Sequence, residues 1–166
     1  MQLLSTKYLV ITIKLILVII FFILFVRTFL IELGSVNGLS MEENFFDNEI
    51  FIVNKLTLLF RKPERKDVVQ VMQDDKLVIK RIIGLPGEEV IIRKGKVYIK
   101  NNKEEIELKE DYLKKYIVTK SEKKNFILGE HEYFVLGDNR EESIDSRNYG
   151  PVHRTQINGL IIDIKK

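Results

Sequence analysis

Ser40, in the turn Val36-Asn37-Gly38-Leu39-Ser40-Met41, and Lys80, in the apolar run Leu77-Val78-Ile79-Lys80-Arg81-Ile82-Ile83, are the residues best suited to acyl-transfer chemistry. A serine attacks an acyl carbon only when a base removes its hydroxyl proton. Side chains alternate faces along a strand, so Lys80 shares one face with Val78 and Ile82, while Arg81 shares the other with Ile79 and Ile83. An amine held between aliphatic neighbours loses hydration, which disfavours its charged form and lowers its pKa. The plainer reading of the same heptapeptide is an edge-strand lysine that reaches water and stays charged.

Histidine is the more common base, and the chain has two, His131 and His153. His131 sits in a turn-like Leu-Gly-Glu-His-Glu-Tyr-Phe stretch and His153 follows Pro151, both positions typical of surface histidines. A Ser–His–Asp arrangement stays open on these residues, but nothing marks it. A third stretch, LGDNREESIDSRNYG from Leu136 to Gly150, bears on the lysine reading. Turn chemistry accounts for Gly137, Asp138 and Asn139. It does not account for Ser143, Asp145, Ser146 and Arg147 in that order. A hydroxyl and an ion pair are what a buried lysine base needs to be positioned.

The elements that must hold these residues begin with an apolar segment. Tyr8 to Ile31 is 24 residues long, with only Lys14 and Arg27 charged. As a helix it spans about 36 Å, enough for a hydrocarbon core, and both basic side chains lie where they can reach an interface. Its uninterrupted run, Leu15 to Val26, also suits the core of a secretory signal, but no small-x-small cleavage site follows it. An uncleaved single-pass anchor over 1–33 is the expectation. Lys7 and Lys14 precede the run, which places the N-terminus in the cytoplasm and 34–166 outside the cell membrane. Ser40 lies 13 residues beyond Arg27, so it is tethered within about 45 Å at ~3.5 Å per residue.

Beyond the anchor, β patterns dominate. Strands are expected at Glu49–Leu56, Asp67–Gln73 and Lys76–Ile83, a hairpin around Lys94-Gly95, and later strands in HEYFVLG and GLIIDIKK. Lys109–Ile117 (KEDYLKKYI) reads as a helical turn or two. The fold class is thus mostly β with one N-terminal transmembrane helix. Within 166 residues, ten Phe and six Tyr alongside many aliphatics support one domain plus the anchor.

Composition excludes several functions. There is no cysteine, hence no disulfide framework, thiol nucleophile or cysteine metal site. The net charge of +3 comes without a basic, aromatic-interleaved motif for nucleic acid. Positive charge concentrates in Arg93–Lys124, with eleven Lys/Arg against six Asp/Glu, and 95–128 reads as an inserted, lysine-rich β subdomain. Such a stretch is a solvated face, or attracts anionic headgroups at short range.

Taken together, RTFLIE after the anchor, VNGLSM, DVVQV, VIKRIIGLPGEEV and YFVLGDNREESIDSRNYG stand in the order found in type I signal peptidases. The chain resembles this family of membrane-bound Ser–Lys proteases nearly end to end, in its short Gram-positive-type form. The resemblance implies a signal-peptidase-like β-sheet catalytic domain, with Ser40 as nucleophile and Lys80 as general base. It further implies that Ser143 hydrogen-bonds the lysine amine, Asp145 pairs with Arg147, and Arg81 pairs with Asp138. Met41 would pack beside the nucleophile, and the Ser40 N–H would donate to the oxyanion. Implied substrates are exported preproteins with small residues one and three positions before the cut, docked as an extended strand beside the lipid bilayer. No metal or organic cofactor is implied.

Two departures stand out. Gly38 removes a side-chain hydroxyl that some members use as a second oxyanion donor. The family's Pro-Thr-Leu is replaced by Glu43-Asn44-Phe45, which loosens the turn and brings acidic residues (Glu42, Glu43, Asp47) that would favour a charged Lys80 if close. Phe45, Phe46 and Phe51 offer apolar contacts to lipid or core. The altered loop leaves open a weakly active or non-catalytic relative acting as a chaperone for surface-protein assembly. A Ser–Lys self-cleaving repressor is a further alternative, but a membrane helix occupies the place of its DNA-binding segment.

Overall fold

A computed structural model describes residues 2–42, 44–102, 104–114 and 116–163, without the side chains of 2–6, 27–29 and 163. Glu43 and the Arg27 side chain, both part of the sequence expectations, lie outside that set. Helix α1 runs Gln2–Phe29. Its stretch Lys7–Val26 has a mean hydropathy of 3.3 and buries nothing against the rest of the chain, so it is long and apolar enough to cross a membrane.

The helix leads directly into β1 (Ile31–Ser35), followed by β2 (Ile50–Asn54), β3 (Val68–Gln73), β4 (Lys76–Gly84), β5 (Glu89–Arg93) and β6 (Lys96–Lys100). Then come β7 (Glu105–Glu107), β8 (Asn125–Ile127), β9 (Glu132–Leu136), β10 (Val152–His153) and β11 (Ile157–Asp163). Short helices α2 (Thr57–Phe60) and α3 (Ser146–Tyr149) complete the elements that matter here. A seven-stranded sheet has the order β1-β2-β11-β3-β4-β9-β10, and a four-stranded sheet the order β7-β6-β5-β8. The expected hairpin is β5–β6, closed by Lys94 and Gly95 at positive φ. The lysine-rich stretch supplies β6, β7 and β8, while β5 comes from before it.

Among the described residues of the Lys109–Ile117 stretch none is helical: Asp111 and Tyr112 form a turn, Leu113 a bend, and Tyr116 takes a φ of 78°. Tyr112 explains the difference. Its carbonyl accepts from Asn44 and its ring lies under the Arg81 guanidinium, contacts that an amphipathic helix would break.

The β strands bury three apolar clusters. One joins the small sheet to β4 and β9 through Ile83, Val90, Phe126 and Phe134. A second gathers Val69, Val71, Ile82, Tyr133 and Val135. The third holds Val36, Met41, Phe45, Phe51, Val53 and Ile79. Strand β4 contributes to all three, which is why a polar side chain within it is starved of water.

Candidate active site

Ser40 lies in the loop between β1 and β2. The loop is closed at its neck, where the Val36 N–H donates to Glu49 O at 2.9 Å and the Asn48 N–H to Val36 O at 2.9 Å. Within it, Gly38 has a φ of 95°, a backbone state that side chains resist, and its N–H donates to Asp47 Oδ1 at 2.9 Å. Met41 and Phe45 are buried in the third cluster and pin the loop from below. The Ser40 carbonyl accepts from Asn139 N–H at 3.1 Å, stitching the serine to the loop after β9. Among the described residues the Ser40 N–H has no acceptor, so it is available to a ligand.

Lys80 stands in the middle of β4, paired with Val69, and is only 3% exposed. The neighbours on its face, Val78 and Ile82, pack into the second cluster. Its Nζ lies 2.6 Å from Ser40 Oγ. Burial is the largest influence on the amine and outweighs the attraction of Asp145, lowering its pKa from 10.5 to about 8. Arg147 pushes in the same direction as burial, while Asp138 opposes it. At neutral pH a usable fraction of Lys80 is therefore uncharged and can accept a proton from the hydroxyl.

Two buried ion pairs frame this contact. Arg81 grips Asp138 with two bonds, Nε to Oδ1 at 2.8 Å and Nη2 to Oδ2 at 2.5 Å. Asp138 also accepts from Asn44 Nδ2 at 2.8 Å, and its N–H points at Met41 Sδ at 3.4 Å. Asp145 pairs with Arg147 through Nε and Nη2, each at 2.8 Å, and caps α3. Its Oδ2 accepts the Gly137 N–H at 3.0 Å. A carboxylate bound by a guanidinium and a backbone amide holds its position, and the loop after β9 is fixed around it.

Gly137 is the pivot of that loop. A Cβ there would collide with both Ser143 Oγ and the Ser40 carbonyl oxygen, so no larger residue fits. Ser143 is thus brought beside the pair, 8% exposed, but its hydroxyl has no hydrogen-bond partner among the described residues. The bond to the lysine amine implied by the resemblance is not formed here; the amine contacts Ser40.

Other expectations change at the altered loop. Asp47 is engaged with the Gly38 and Asn48 side of the turn, and neither Asp47 nor Glu42 contributes to the Lys80 shift. Phe45 and Phe51 are core residues, leaving Phe46 as the exposed member of the three. Both histidines are exposed; their rings lie 5.8 Å apart and His153 Nδ1 contacts Thr155, so neither approaches Ser40. The sequence reading gave no site role to Asn44, Gly137 or Arg140, taking the first as part of an altered loop and the second as turn chemistry. Arg140 is buried, bonds Gly137 O at 3.1 Å, and is engaged by Glu110 and Thr119 of the lysine-rich segment. A cation inside a turn motif was its one visible signal.

A cleft of about 310 Å³ opens at Ser40, between Gly34-Ser35-Val36 on one side and Leu77-Val78-Ile79 on the other, with Phe51 and Gln70 also lining it. β1 is the outermost strand of its sheet, and β4 pairs with β9 only from Arg81 onward. Both walls of the cleft therefore carry backbone edges free to pair with an extended peptide.

The model for the family described as signal peptidase, peptidase S26, matches residues 9–163. Signal peptidase I V of Bacillus subtilis (strain 168) is 35% identical over 139 residues, covering 78% of this chain and 82% of that protein. A signal peptidase I of Bacillus licheniformis is 34% identical over 163 residues, covering 89% of this chain and 83% of its own length. The crystal structure of a signal peptidase I from Enterococcus faecalis V583 superposes with a TM-score of 0.52 at 32% identity, covering 61% of this chain and 98% of that one.

Proposed function

The chain belongs to the signal peptidase family, peptidase S26, as a membrane-anchored serine protease that cleaves signal peptides from exported preproteins, and on that footing we propose that Ser40 and Lys80 make the cut. The observation that carries the assignment is the 2.6 Å approach of Lys80 Nζ to Ser40 Oγ within an apolar wall. The uncharged amine takes the hydroxyl proton as Oγ bonds to the carbonyl carbon at the end of the signal sequence. The free Ser40 N–H donates to the oxyanion. The Lys80 ammonium then gives its proton to the departing amine as the C–N bond breaks, leaving an ester on Ser40. Water, deprotonated by the same amine, displaces Oγ and restores the hydroxyl.

Asp138 with Arg81, and Asp145 with Arg147, act as positioning residues that hold the Ser40 carbonyl and the loop of Gly137 in register. Met41 supports the turn from the core. The Gly38 N–H already serves Asp47, so it gives no second oxyanion donor in this state.

The narrow cleft and its two open strand edges fit an extended substrate with small side chains at the first and third positions before the cut. Residues 34–166 lie on the outer side of the bilayer, with Lys7 and Lys14 marking the cytoplasmic end of α1. Lipid lies close to the domain: β1 starts two residues after the helix, and the Lys55 N–H bonds Leu30 O at 3.0 Å.

The test is preprotein cleavage in liposomes by wild type, Ser40→Ala and Lys80→Ala. Product from wild type alone is expected. Undiminished cleavage by either variant removes the assignment.

A further inference from the structure

Gln70 stands out as a polar side chain in a buried strand. It is 4% exposed, yet it lines the cleft that opens at Ser40. Its flanking residues Val69 and Val71 face the second cluster, so Gln70 points to the opposite side of the sheet, level with Ile79 across the β3–β4 pair.

The amide is held in a fixed orientation. β11 carries a bulge, with its register against β3 shifting between Ile157 and Gly159. Asn158 is the extra residue, and a bulge re-aims the side chain it carries. Asn158 Nδ2 donates to Gln70 Oε1 at 2.5 Å. With its oxygen occupied, Gln70 presents Nε2, which has no protein partner among the described residues and is not among the atoms sealed from solvent. The accessible space at that atom is the cleft.

We infer that Gln70, oriented by Asn158, selects a hydrogen-bond acceptor on the substrate, so that the third residue before the cut is preferentially a small hydroxyl-bearing side chain, Ser or Thr, rather than Ala or Val. This rests on the protease reading above. In an extended peptide, side chains two residues apart share a face about 7 Å apart. With the first residue before the cut held at Ser40, the third extends along the cleft wall formed by Ile79 and Leu77, on the face where Gln70 pairs with Ile79. An aliphatic side chain there would displace water from Nε2 and leave a buried donor unpaired, whereas a hydroxyl oxygen accepts from it. A site built to hydrogen-bond a hydroxyl discriminates against analogues lacking one.

The experiment uses the full chain in liposomes and two preproteins differing only in Ser or Val at the third position before the cut. Wild type should cleave the Ser substrate with kcat/KM about tenfold higher, and Gln70→Val should reverse the preference. Binding of the same pair as peptides to Ser40→Ala, which needs no turnover, should show the same roughly tenfold ratio in Kd. Equal or Val-favouring ratios with wild type and Ser40→Ala overturn the inference while leaving the protease reading intact. Retained Ser preference in Gln70→Val also overturns it. Peptide binding with the Ser preference but no cleavage by wild type supports the role of Gln70 and contradicts the protease reading.

Discussion

Lys80 and Arg81, consecutive residues of β4, hold one serine from two sides. Lys80 Nζ reaches Ser40 Oγ at 2.6 Å, while Arg81 binds Asp138, and Asn139 beside it donates its N–H to the Ser40 carbonyl. Loosening either hold, or crowding the loop between them, has measurable consequences.

Asp138→Ala should be strongly destabilising. The Arg81–Asp138 pair is buried, and removing one partner leaves an uncompensated charge, a loss of about 3–5 kcal/mol. Asn44 would lose one of its two acceptors at the same time and keep the Tyr112 carbonyl. Chemical denaturation of the domain measures this, and a loss under about 1 kcal/mol would mean the pair is solvated.

Gly137→Ala tests the pivot. The added methyl would meet Ser143 Oγ and Ser40 O well inside contact distance. Overpacking of this kind costs about 1–3 kcal/mol, and here the backbone that must yield carries the nucleophile. Cleavage should fall by about 10²-fold or more, the scale seen when reacting groups are misplaced by about an ångström. Assays on the folded fraction, set by circular dichroism, separate this from unfolding.

Ser143→Ala probes a hydroxyl with no partner. Deleting an unpaired buried group forfeits no hydrogen bond, so stability should stay within about 1 kcal/mol of wild type. The acid midpoint of the rate profile should also stay in place, because the hydroxyl is not bonded to the amine. A melting curve and a pH–rate profile on one preparation check both.

The depressed pKa of Lys80 sets the pH dependence. Below about 8 the amine is mostly protonated, so kcat/KM should climb about tenfold per pH unit and level off above that midpoint. Stability follows the same shift. Between about 8 and 10.5 the unfolded chain binds more protons at this site than the folded one, so the penalty for burying the charged amine, full below about 8, is relieved and stability rises across that window. Lys80→Met should abolish that rise.

Much of this was legible in the residues. Alternation in LVIKRII put Lys80 among aliphatics, although β4 is buried on both faces from Ile79 to Gly84 rather than on alternate residues. The spacing within GDNREESIDSR brought the two acidic partners of Arg81 and Arg147 onto one loop. What stayed hidden depends on contacts distant in sequence. β1 was masked because Ile31 continues the apolar run of the helix, although its pairing with Asn54 makes it a strand. β7 is only three exposed residues long, too short a run to stand out as a strand. The failed helical reading of Lys109–Ile117 reflects Tyr112 contacts with Arg81 and Asn44, far away in sequence. Gln70 carries no site signal in the strand Asp67–Gln73, since its partner, Asn158 at the β11 bulge, lies far along the chain.

The most direct measurement is an NMR titration of the Lys80 side chain, isotope-labelled in the intact domain, following its ε-carbon and ζ-nitrogen from pH 6 to 11. A midpoint near 8, lost in Lys80→Met and shifted in Ser40→Ala, is what the Ser–Lys geometry requires. An amine that keeps its proton to about pH 10, as a solvated lysine does, contradicts it.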